Sequence, residues 1–152
     1  MHAVNILQVS ARSTYGNFSA SRLINGQRDV GGWISGVGEW RDCHLELRLA
    51  EPGIPVALEV VNGFIEENKV GIRDDYYYHL RPQRIDLYLG SGEIPVPLEL
   101  ADDKAPQRLA IPPGPPVDSL RLVIRDVYRD SPDGTIRSFD VVGLRHLTVL
   151  TA

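Results

Sequence analysis

The densest run of chemically capable side chains is Tyr76-Tyr77-Tyr78-His79-Leu80-Arg81. Aromatic faces can cover the apolar side of a sugar ring, while His, Arg, Asp and Asn groups hydrogen-bond its hydroxyls. The run holds both ingredients. Trp33, set among glycines, and Arg28 in the same glycine-rich stretch are the other candidates. Trp33, Arg28, Tyr77 and His79 are therefore the ligand-binding candidates. A blander packing competes with this reading: Tyr76 and Tyr78 would sit beneath the loop as satellite core, leaving Tyr77 exposed. Arg81-Pro82 reads as an ion-pair anchor at a strand entrance, and Trp40 as a core residue.

Nothing in the spacing points to covalent or hydrolytic chemistry. Ser35, within Gly32-Trp33-Ile34-Ser35-Gly36, lacks the spacing of a nucleophile elbow. Neither a metalloprotease helix motif nor a paired-cysteine motif occurs, and no glycine-rich phosphate loop follows a strand. The histidines, at 2, 44, 79 and 146, are scattered. Glu66-Glu67, Asp74-Asp75 and Asp102-Asp103 read as solvated loop charge, because a glycosidase pair needs two carboxyls held across a cleft. No residue is assigned a catalytic role, and the chain reads as a non-enzyme.

The elements that position these residues are strands. Leu45, Leu47 and Leu49 alternate with His44, Glu46 and Arg48, and Leu120, Leu122 and Ile124 with Arg121, Val123 and Arg125. A period of two marks strands half-buried in a sheet. Ile85, Leu87 and Leu89 oppose Arg84, Asp86 and Tyr88 in the same way. Val60 and Val61 are consecutive, so their strand is expected to be covered on both faces. Pro97 makes the strand around Val96–Leu100 an edge strand. Glu51-Pro52-Gly53 reads as a turn, and the first and last strands fall near Val4–Val9 and Val141–Val149. These elements predict an all-β antiparallel β-sandwich, a jelly roll of about eight strands, as a single domain over residues 1–152.

Hydrophobic residues make up 43% and charged residues 24% of the chain, the balance of an ordinary globular domain. A formal net charge of −4 gives no electrostatic basis for nucleic-acid binding. Cys43 has no cysteine to pair with and reads as a small core residue. No run approaches the length of a membrane span. The N-terminus lacks the basic start and apolar stretch of a signal peptide. The expectation is a cytoplasmic chain, or one exported within a larger assembly.

The order Ser19-Ala20-Ser21-x-Leu23-Ile24-Asn25-Gly26, then Trp33, then Gly36-x-Gly38-Glu39-Trp40, resembles the opening of discoidin-like domains, also called F5/8 type C domains. Asn62-Gly63-Phe64, Tyr78-x-x-Arg81-Pro82-x-x-Ile85 and Asp126-Val127-Tyr128 resemble one subgroup, the glycan-binding, translocation-associated domain attached to some bacterial NAD glycohydrolases. The resemblance covers roughly residues 19 to 144. It implies a galactose-binding-like jelly roll that binds rather than catalyses, with rim loops holding a carbohydrate. Many such domains hold a structural calcium ion in the loop after a "DG" pair. Here the corresponding oxygen donors would be Asn25, Asp29 and Asp140, with Asn25 standing where the family has an acid. A second expectation is a protein-interaction or assembly domain that tethers an enzyme, a toxin or a larger complex, or that forms an oligomer. Such a role calls for a contiguous exposed apolar patch, whereas a glycan site calls for a small polar and aromatic surface.

Overall fold

The computed structural model describes residues 1–25, 31–65 and 76–152, with residue 25 through its backbone alone. Glu66-Glu67 and Asp74-Asp75, along with Arg28 and Asp29, lie outside the described residues. Among the described residues there are ten strands: β1 (His2–Ala3), β2 (Ile6–Ala11), β3 (Trp33–Ile34), β4 (His44–Gly53), β5 (Pro55–Asn62), β6 (His79–Leu89), β7 (Val96–Glu99), β8 (Gln107–Ala110), β9 (Val117–Tyr128) and β10 (Phe139–Thr151). Among the described residues a short helix, α1 (Arg22–Asn25), follows the Ser19-Ala20-Ser21 turn, and a 3-10 turn spans Tyr76–Tyr78. Strands β1 and β3 raise the number above the expected eight. Each has two residues, too few to show any periodicity in sequence.

Two antiparallel layers face each other. The first runs β2-β4-β9-β6-β7; the second sets β5 between β8 and β10, with β1 and β3 against β10. Register explains why the layers stick together. Leu45 pairs with Leu122, Leu47 with Leu120, Ile85 with Ile124 and Leu87 with Leu122, so the apolar side chains share one face. That face meets Leu58, Val60, Leu144, Leu147 and Val149 from the other layer in one continuous core. As expected for a strand covered on both sides, Val60 and Val61 are both buried. Cys43 lies in the same core.

Strand β4 continues through Glu51-Pro52-Gly53 where a turn was expected. Its pairing with β9 lapses between Arg48 and Gly53, so the missing amide of Pro52 breaks no ladder hydrogen bond. Gly32 enters β3 at φ +110°, and a Cβ there would fall on the carbonyl oxygen of Leu144. Only glycine lets this backbone press that closely against β10. The two layers also join at one rim, where β6 and β10 pair briefly in parallel through Phe139 opposite His79 and Val142 opposite Leu80. That junction brings the aromatic run to the start of the last strand.

Candidate functional site

The rim is built on a buried arginine. Arg81 is 1% exposed, and all five of its guanidinium donors are used. Nε and one terminal nitrogen grip Asp102 in a two-pronged pair at 3.0 and 2.9 Å. The remaining donors reach the carbonyls of His79 and Asp130 and the Ser138 hydroxyl. The guanidinium carbon lies 5.3 and 5.0 Å from the ring centres of Tyr76 and Tyr77. Arg81 is thus the strand-entrance anchor expected from the sequence. Asp102 is a correction: it is the carboxylate partner of that anchor, not free loop charge, because the fold folds it over the end of β6.

Tyr76 is buried and donates its hydroxyl to Asp102 at 2.8 Å. Burial, and then the bond to Asp102, push the Tyr76 hydroxyl well above its ordinary value. A folded-state value above the unfolded one gives stability that is present below the unfolded value near 10 and lost as pH rises beyond it. Stability should therefore fall on raising the pH past about 10. In Tyr76→Phe that part of the fall should disappear, as urea midpoints measured across the alkaline range would show.

Around this anchor a reciprocal clasp fixes the turn before β10. The Asp130 amide donates to the Ser138 hydroxyl and the Ser138 amide to the Asp130 carboxylate, both at 2.8 Å. The Ser138 hydroxyl donates in turn to the Tyr77 carbonyl at 2.7 Å. The turn is thereby tied to the aromatic run. The next residue, Phe139, is 62% exposed, an unusual position for a large apolar ring. Its ring stacks on Tyr78 with centres 6.2 Å apart and planes 29° from parallel, and meets His79 edge-on at 6.4 Å. His79 is backed by Phe64 at 4.9 Å, which is braced by Phe18 at 5.1 Å. The result is an aromatic shelf made of Phe139, Tyr78 and His79.

The ligand candidates fare unequally. His79 is on the shelf. Tyr77 is half-buried beside it, with its ring against Arg81 and Tyr76, so it braces the site. Trp33 is not a rim residue. It is fully buried, and its indole nitrogen donates to the Ser13 carbonyl at 2.9 Å. Pairing of β3 with β10 carries it inward, which flanking glycines could not reveal. Arg28 lies outside the described residues. Phe139 was missed as an exposed ring, and Tyr78, half-buried, as its stacking partner. The one available signal was an aromatic residue standing just outside the apolar run that begins at Val141.

Of the three expected calcium donors, only Asp140 has a described side chain. It accepts the Trp40 indole hydrogen bond at 3.1 Å and lies 4.0 Å from the Arg129 guanidinium. Among the described residues no group of three or more His, Cys, Asp or Glu is placed to hold a metal ion. Trp40 is buried as expected, with Arg41 and Arg129 stacked at 4.6 and 5.7 Å from its ring.

No family model matches the sequence, and a search of curated proteins finds no relative. Solved structures do match. An F5/8 type C domain from Bacteroides fragilis superposes with a TM-score of 0.67 at 18% identity, over 97% of this chain and 93% of that one. A family 32 carbohydrate-binding module from Clostridium perfringens, solved with GalNAc-β-1,3-galactose, gives 0.67 at 12% identity, over 99% of this chain and 100% of that one. The family 32 module of NanJ from the same organism, solved with galactose, gives 0.61 at 12% identity, over 93% of this chain and 91% of that one. No helix among the described residues is long and apolar enough to cross a membrane. Paired layers, strand register and these superpositions together give the chain the discoidin-like fold shared by F5/8 type C domains and family 32 carbohydrate-binding modules.

Proposed function

We propose that this chain is a non-catalytic glycan-binding module that seats a sugar ring on the Phe139 shelf. The carrying observation is the 62% exposure of Phe139 between a stacked Tyr78 and an edge-on His79. An exposed ring held this firmly offers an apolar face at little entropic cost. Support comes from the modules of like fold that are solved with galactose and with GalNAc-β-1,3-galactose.

Calorimetric titration with galactose, N-acetylgalactosamine and their disaccharides tests the reading. The chain should bind at least one of them at millimolar concentration or better. Phe139→Ala should weaken that binding about tenfold or more, the equivalent of ~1.4 kcal/mol, while leaving the melting temperature unchanged. No binding by any member of the panel, or full affinity in Phe139→Ala, would remove this shelf from consideration.

A further inference from the structure

A second surface, remote in the fold from the Phe139 shelf, has the character of a binding groove. It lies on the outer face of the first layer, a trough of ≈ 890 Å³ crossing β2, β4, β9 and β6 and walled by the turn at 90–93. Pairing register lines its floor in rungs. Ser10 stands opposite Glu46, Glu46 opposite Arg121, and Arg121 opposite Tyr88. One register step along, Gln8 stands opposite Arg48 and Arg48 opposite Ser119. Four strands at about 4.8 Å spacing make the first rung about 14 Å long, the reach of a short oligosaccharide.

The two ends of this outer face differ in kind. Towards Asp42 the polar groups satisfy one another: Arg125 donates to Asp86 at 2.9 Å, to Asp42 at 2.7 Å and to the Tyr88 hydroxyl at 3.1 Å. Those bonds raise the Arg125 guanidinium above its ordinary value and hold it charged. Towards Gly90 they do not. Among the described residues, the side chains of Gln8, Ser10, Arg48 and Ser119 have no hydrogen-bond or ionic partner within the chain, although all four line the trough. The Arg121 guanidinium carbon sits over the Tyr88 ring, 4.6 Å from its centre. Donors and acceptors thus alternate along and across the rungs, with acidic and basic groups intermixed. That pattern suits a hydroxyl, which donates and accepts at once, better than a phosphate or a carboxylate.

We infer that this trough is a second carbohydrate site, which takes a linear neutral oligosaccharide lying across the strands. It takes its ligand class from the glycan-binding reading and none of its residues from the Phe139 shelf. The test is amide chemical-shift mapping of the intact chain, titrated with galactose, with cello-, xylo- and manno-oligosaccharides, and with galacturonate oligomers. At least one neutral oligosaccharide should shift the amides at 8–10, 46–48, 88–93 and 118–121, and galactose alone should not. Gln8→Ala/Arg48→Ala changes exposed side chains only. It should weaken binding in the trough about tenfold and leave any response at 77–79 and 139 unaltered. Shifts confined to 77–79 and 139 would overturn the trough and leave the shelf standing. Shifts in the trough with galacturonate oligomers alone, or with none of the probes, would also overturn it. Silence at both places with every sugar would count against the shelf as well.

Discussion

Arg81→Leu should unfold at a much lower urea midpoint, with a loss of about 3–5 kcal/mol, the range for removing one partner of a buried ion pair. Three part-buried acceptors around the guanidinium would lose their donors together: the Asp102 carboxylate and the carbonyls of His79 and Asp130. Asp102 retains 25% side-chain exposure, so water relieves part of its cost and the lower end of that range applies. Arg81→Lys keeps the charge but cannot reproduce the planar fork, and should still lose about half as much. The comparison separates geometry from charge. A midpoint in Arg81→Lys equal to the parent, with an unchanged denaturant slope, would show that the fork is dispensable. Because the same guanidinium bonds Ser138, the residue before Phe139, the destabilised variant should also bind sugar more weakly at any temperature where it still folds.

Trp33→Ala is the second large effect, also about 3–5 kcal/mol, from the cavity left by a fully buried indole. Trp33→Phe retains most of the ring but leaves the buried Ser13 carbonyl without its donor, for a loss of about 1–3 kcal/mol. Neither change alters the shelf. In Trp33→Phe, sugar affinity measured well below the melting temperature should therefore match the parent. A stable Trp33→Phe with its binding abolished would return Trp33 to the ligand surface and contradict its place in the core.

The strands were legible because burial on one face imposes a period of two. Leu45 to Leu49, Ile85 to Leu89 and Leu120 to Ile124 each show it over enough residues to be read. Pairs such as Trp33–Ile34 were not legible, since a two-residue strand exists only by virtue of its partner in β10. The site was half-legible. Arg81 and His79 stood out by type within the aromatic run, and both sit at the rim. Phe139 lies sixty residues further along the chain than His79 and gains its meaning from the parallel bridge that sets them opposite each other.

Composition and alternation by themselves determined a β-sandwich without a nucleophile or a metal motif, because both follow from residue type and local spacing. Which aromatic faces outward was decided by tertiary structure alone. Trp33 is drawn inward by pairing with β10, Tyr77 is held against Arg81, and Phe139 is left in the open. Exposure depends on what the rest of the chain packs against a ring, and that information is spread over contacts between residues distant in sequence.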